Sequence, residues 1–133
     1  MTPTILQRVK FSASPKILFN MYMDSKKHSS STGAPAKLSR KTGGAWHAHG
    51  GAIGGKNLLI VPGRKVVQAW RATHWKKGDL SILILTFEKA RGGAVVDLVH
   101  VGVPQHDQKG VRTGWPKFYW KPWKKYLASR NEA

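Results

Sequence analysis

Hydrophobic and polar residues alternate near the start of the chain and then recur with helical spacing. From Ile5 to Phe11 the odd-numbered residues are mostly apolar, which predicts a strand because successive strand side chains point to opposite faces. Ser14 followed by Pro15 is typical of a helix N-terminus, and the apolar residues after it are spaced as on one helix face. Asp24 is predicted to cap a second, short helix that runs toward Ser30.

The middle of the chain consists of short apolar segments separated by turn residues. Glycine and proline interrupt these segments at close intervals, and the connections between them are only a few residues long. Such short connections favour antiparallel hairpins. Six strands are therefore predicted, near residues 37–41, 44–49, 54–61, 65–75, 79–90 and 93–103.

After Pro104 the pattern becomes helical. One apolar face is marked by residues that recur every four positions, namely Val111, Trp115, Tyr119, Trp123 and Leu127. Pro116 and Pro122 fall inside this segment, and each lacks a backbone N–H donor. We therefore expect one long C-terminal helix with a bend near Pro122.

The predicted element order is β-α-α-β6-α, which is an α+β fold in a single domain of residues 1–133. The sheet and the terminal helix must bury each other's apolar faces. We expect a curved antiparallel sheet wrapped around the long C-terminal helix. Because a curved sheet leaves an interior that side chains need not fill, a ligand cavity between sheet and helix is expected.

Several segments are similar to a known family. They are Phe11–Pro15, Gly51–Gly54 with Asn57–Gly63, Val66–Arg71, Leu98–Pro104, and Gly114-Trp115 with Trp120–Leu127. The chain resembles domains related to the C-terminal domain of the activator of heat-shock protein 90 (Hsp90) ATPase, in the START-like helix-grip (SRPBCC) superfamily. The resemblance implies the helix-grip fold. It leaves the function open, because members of the superfamily carry lipids, cyclise polyketides or bind chaperones.

Aromatic residues are the main candidates for binding. The chain has six Trp, three Tyr and four Phe, and such side chains combine a large apolar area with a polar group, which suits a partly wet cavity. Packing of the same rings in a plain core is the alternative. With His100, which shares a strand face with aliphatic residues, the predicted ligand-binding residues are Phe19, Tyr22, Trp46, Trp70, His100, Trp115 and Tyr119.

Side chains suited to catalysis or metal binding are few. The chain has no cysteine, which excludes disulfides, thiol catalysis and thiolate metal sites. No nucleophile or phosphate-binding motif is found. His47 and His49 would share one strand face and start a metal site, but a third ligand is missing nearby. We predict no catalytic residue, no metal and no cofactor, with an enzyme that uses His100 as the alternative.

The chain is strongly basic. Lys and Arg total 23 against 6 Asp and Glu, which gives a net charge of +17. Such a charge attracts polyanions, although a solvated basic surface is the simpler explanation. No apolar segment reaches the roughly 20 residues that a membrane span needs, and residues 1–10 lack the apolar segment of a secretory signal. We expect a cytoplasmic protein, monomeric or homodimeric.

The leading hypothesis from the sequence is non-enzymatic binding of a small hydrophobic or aromatic ligand in the cavity. The resemblance implies an alternative, a co-chaperone-like interaction module that contacts Hsp90. Binding of a polyanion by the basic surface is the third hypothesis.

Overall fold

The computed structural model describes residues 2–131. The predicted single domain of residues 1–133 includes Met1, Glu132 and Ala133, which lie outside the described residues. The strands are β1 (Ile5–Phe11), β2 (Lys37–Leu38), β3 (Ala45–Ala48), β4 (Ile53–Val61), β5 (Lys65–Ala72), β6 (Ser81–Ala90) and β7 (Gly93–Val101). The helices are α1 (Pro15–Met23), α2 (Ser25–Thr32), α3 (Gln108–Trp115) and α4 (Lys121–Asn131), with a π-helical turn (Pro116–Trp120) between the last two.

The seven strands form one antiparallel sheet in the order β1-β7-β6-β5-β4-β3-β2. Side chains at alternate positions, such as Val96 and Leu98 of β7, are buried against the helices on the inner face of the sheet. The element order and the α+β helix-grip fold confirm the prediction. Within residues 2–131 none of the helices has the length and hydropathy needed to cross a bilayer.

Side-chain caps start the two helices that follow β1. The Ser14 hydroxyl accepts a hydrogen bond from the Ile17 amide at 3.2 Å, and Pro15 occupies the first turn of α1. The Asp24 carboxylate accepts from the Lys27 amide at 3.0 Å and so begins α2. Both caps confirm the positions predicted from the sequence.

Strands β2 and β5 each end three residues earlier than predicted, because side chains bind backbone carbonyls beyond their ends. β2 ends at Leu38, since the Asn57 amide donates to the carbonyls of Ser39 at 2.7 Å and Lys41 at 3.1 Å and holds the following loop. β5 ends at Ala72, and its Arg71 guanidinium donates to the Trp75 carbonyl at 3.0 Å. Trp75 therefore lies in a turn and not on the predicted strand.

The C-terminal helical segment is interrupted one turn before the predicted position. Pro116 has no N–H to donate to the Arg112 carbonyl one turn back, and the Gln7 side-chain amide of β1 donates to that carbonyl instead, at 2.8 Å. The Lys121 amide donates to the Pro116 carbonyl, five residues back, which makes the turn π-helical. The irregular turn thus spans Pro116–Trp120. It precedes Pro122, which has no N–H to donate to a carbonyl of the preceding turn.

Candidate binding cavity and the polar core beside it

A cavity of about 270 Å³ lies between strands β4 and β5 and the C-terminal helical segment. Its volume is just below the range of roughly 300–1,000 Å³ that is usual for small-molecule sites. The walls are mainly apolar and include Ile53, Trp70, Ala72, Val111, Trp115, Phe118 and Tyr119. Polar side chains from His49, His74 and Asp107 complete the lining. The sequence predicted a ligand cavity between the sheet and the terminal helix, and ligand binding at this position stays a prediction.

Two glycines of α3 leave room for this cavity. Gly110 and Gly114 are four residues apart, so they lie on the same helix face, and both line the space. A Cβ atom at Gly114 would meet the Phe118 ring at 3.6 Å, which is ordinary van der Waals contact. A Cβ atom at Gly110 would lie 2.5 Å from Asp107 Oδ1, so a side chain there would displace this carboxylate of the cavity lining.

Some polar atoms of the residues that line the cavity are hydrogen-bonded within the protein, and others are buried without a partner. The Asp107 carboxylate accepts from the Trp75 indole N–H at 2.7 Å and lies 3.1 Å from His74 Nε2. Within residues 2–131, Trp70 Nε1 and His49 Nε2 are buried without a hydrogen-bond partner. Burial lowers the pKa of His49, which favours its neutral form. Its backbone has φ +53°, a left-handed conformation that is uncommon for residues with a side chain.

Three of the seven predicted ligand-binding residues line this cavity, namely Trp70, Trp115 and Tyr119. The other four are buried elsewhere in the core. Phe19 packs edge-on against Phe87, with ring centroids 5.8 Å apart. The Trp46 indole donates to the Ala69 carbonyl at 3.3 Å. Ligand binding by the seven residues stays a prediction.

Both ring nitrogens of His100 are occupied by hydrogen bonds inside the protein. The Trp115 indole N–H donates to His100 Nδ1 at 3.2 Å, so the ring proton is on Nε2, which donates to Ser81 Oγ at 2.8 Å. The Ser81 hydroxyl then donates to the Trp70 carbonyl at 2.7 Å. Burial lowers the pKa of His100 to about 3 and keeps the ring neutral. His100 positions two aromatic walls of the cavity.

A second buried histidine, His28, holds the other side of the same aromatic wall. His28 Nδ1 donates to the Tyr22 carbonyl at 2.7 Å, so Nε2 accepts from the Tyr119 hydroxyl at 2.9 Å. Burial lowers the pKa of His28 to about 4. Burial also raises the pKa of Tyr119, so its hydroxyl remains a donor.

Tyr22 belongs to a third buried chain of hydrogen bonds. Its hydroxyl donates to Gln68 Oε1 at 2.7 Å, and Gln68 Nε2 donates to Asn57 Oδ1 at 3.0 Å. Gln68 and Asn57 were not predicted to be part of the core. Gln68 does follow Val66 at an inward position of its strand, and this alternation is the sequence signal that could have identified it. His28 lies in a polar Ser- and Lys-rich segment without such a signal.

The two histidines near the glycine-rich turn do not share a face. β3 ends at Ala48, so His47 is exposed on the strand while His49 turns into the cavity. The assumption that both lie on one strand was therefore wrong. Across residues 2–131, no group of three or more His, Asp or Glu side chains is placed to hold a metal ion.

The chain is similar in sequence and in fold to proteins of one known family. Residues 12–128 match the family model described as activator of Hsp90 ATPase homolog 1-like protein. The chain belongs to this family. It is 28% identical over 120 residues to the human activator of 90 kDa heat shock protein ATPase homolog 1, a match that covers 90% of this chain and 36% of that protein.

A second curated relative matches with a similar identity and a similar coverage. The chain is 28% identical to the activator homolog of Dictyostelium discoideum, over 87% of this chain and 30% of that protein. The chain therefore spans about a third of the length of these curated family members.

Solved structures support the family fold. A crystal structure titled as an HSP90 activator from Plasmodium falciparum superimposes with a TM-score of 0.86 at 20% identity, covering 96% of this chain and 97% of that one. Protein MLL2253 from Mesorhizobium loti superimposes with a TM-score of 0.80 at 16% identity, covering 96% and 98%. These matches show that the helix-grip fold of the family extends over nearly the whole chain.

Proposed function

We propose that the chain is a co-chaperone-like domain that binds Hsp90. The observation that carries this proposal is the family match over residues 12–128, together with curated relatives that are named as activators of the Hsp90 ATPase. The chain spans about a third of those relatives. We therefore propose binding to Hsp90 first, and stimulation of its ATPase as an additional activity.

Isothermal titration of the purified chain into purified Hsp90 tests the proposal, with ATP turnover by Hsp90 measured in parallel. We expect saturable binding, and an increased turnover rate if the domain also activates. Binding without a change in turnover supports a binding domain. The absence of saturable heat together with an unchanged turnover rate contradicts the proposal.

We propose as a second function that the cavity binds a small planar apolar or aromatic molecule. The apolar walls and the volume of about 270 Å³ support this proposal.

Titration with 2-naphthol, a planar molecule with one hydroxyl, tests the cavity. Gly114→Leu places a side chain in the cavity, and we expect it to abolish 2-naphthol binding. Lys109→Leu is the matched control, because Lys109 is an exposed residue of the same helix. Equal binding by the wild type and Gly114→Leu, or no binding by the wild type, contradicts the proposal.

A further inference from the structure

The outer face of the sheet carries a continuous row of apolar side chains. Strand pairing places Leu6 opposite Val99, Val99 opposite Ile84, Ile84 opposite Val67, and Val67 opposite Leu59. The row crosses five strands, so at about 4.8 Å between neighbours it is about 19 Å long. These positions alternate with the buried ones, so the row faces away from the helices.

A second apolar row lies beside the first. Val101 pairs with Ile82, and Ile82 pairs with Ala69, which is itself only 7% exposed. At the ends of the two rows, Leu6 is 71% exposed, Leu59 46% and Val101 41%. An antiparallel sheet with one face on the core normally presents polar residues on its other face. A contiguous apolar patch in that position is typical of an interaction surface.

Basic side chains outnumber acidic ones beside this patch. Arg8, Lys10, Lys56 and Lys65 also point to the outer face, beside the apolar rows. The carboxylates on the same face are Asp97 and Glu88, and Asp97 lies 3.6 Å from Arg8. A partner with an apolar strip flanked by carboxylates would complement both the shape and the charge of this face.

We propose that this outer sheet face, with its two apolar rows and their rim of lysine and arginine, is the surface that docks Hsp90. The proposal rests on the proposed Hsp90-binding function and adds the site on this chain. The complementary element on Hsp90 is an amphipathic segment with an apolar strip for the rows and carboxylates for the basic rim. If it is a helix, a row of about 19 Å matches about thirteen residues.

A second copy of the chain fits this face less well than an acidic partner. Stacking two copies would bring the basic rims of both together, and each chain carries a net charge of +17. Ile17 on α1 is 50% exposed and lies on a helix, away from the strands that form the two rows, so it suits a control variant.

Two double variants test the proposal by titration into Hsp90. Leu6→Ser with Leu59→Ser removes the exposed ends of the apolar row, and we expect Kd to rise about tenfold or more. Arg8→Glu with Lys65→Glu reverses two rim charges, and we expect weaker binding whose salt dependence is reduced. The control, Ile17→Ser, should change Kd by less than about twofold.

The outcomes separate this inference from the proposed function. If the wild type binds Hsp90 and both face variants bind equally well, the docking surface is wrong while Hsp90 binding stands. If the wild type does not bind, both fall. Sedimentation of the free chain adds a third outcome: a wild-type dimer that becomes monomeric in the Leu6→Ser, Leu59→Ser variant identifies a second copy as the occupant and overturns the proposal.

Discussion

At the scale of single residues, the core beside the cavity is organised by neutral polar side chains. His100 links Trp115 to Ser81, and His28 links Tyr119 to the backbone of α1. The bonds in which a ring nitrogen accepts, from the Trp115 indole to His100 and from the Tyr119 hydroxyl to His28, require an uncharged imidazole with a defined ring proton. The two histidines therefore hold the aromatic wall in place, and their cost to folding depends on pH.

We expect the free energy of unfolding to fall as the pH decreases from about 6.5 toward 4. The pKa of His28 is about 4 in the folded chain against 6.5 unfolded, so in this window the unfolded chain binds a proton that the folded chain does not. The stabilisation is fully present above about pH 6.5. A histidine with this shift contributes a slope of up to about 1.4 kcal/mol per pH unit.

Urea unfolding at several pH values checks this expectation. His28→Gln should show a shallower pH dependence than the wild type, whereas His106→Gln, at an exposed side chain, should keep the wild-type dependence. Parallel curves for the wild type and His28→Gln would show that the histidine is not buried and neutral in the folded chain.

At the scale of elements, one side chain of β1 joins the sheet to the interrupted terminal helix. Gln7 donates to the Arg112 carbonyl that Pro116 leaves without a partner, and its Oε1 accepts from the Trp120 indole N–H at 2.7 Å. Trp120 is the last residue of the π-helical turn, and the Arg112 carbonyl lies one helical turn before it begins. The glutamine therefore stabilises the irregular turn and fixes the aromatic face of the helix against the sheet.

Gln7→Leu should destabilise the fold by about 1 kcal/mol, because it leaves the Trp120 indole N–H without a partner, while water can replace the glutamine at the exposed Arg112 carbonyl. Urea unfolding measures the change. Lys10→Leu, at an exposed position of the same strand, is the control and should have little effect. Equal stability of Gln7→Leu and the wild type would show that the helix holds its π-helical turn without this contact.

The elements were predicted from the sequence more completely than the site. Caps at Ser14 and Asp24 and the alternating strands are local patterns, and they gave the element order. The cavity depends on which side chains meet across the sheet and the helix, and local spacing does not contain that information. His49 illustrates this, since the end of β3 turns it into the cavity.

At the scale of the whole molecule, the two faces of the sheet differ in what they contact. The inner face buries the helices, three chains of polar side chains and one small cavity. The outer face presents apolar rows whose members alternate with buried residues along each strand. Strand register decides which of these members become neighbours, so the rows could not be predicted from the sequence. With a net charge of +17, the molecule favours acidic partners.

The most direct test of the account is an NMR titration of the ¹⁵N-labelled chain with Hsp90. We expect resonances of the outer sheet face, including Leu6, Val67 and Val99, to shift or broaden first. Residues that line the cavity, such as Gly114, should be unaffected. Unchanged spectra at saturating Hsp90, or changes confined to the cavity, would contradict the claim that this domain binds the chaperone through the outer face of its sheet.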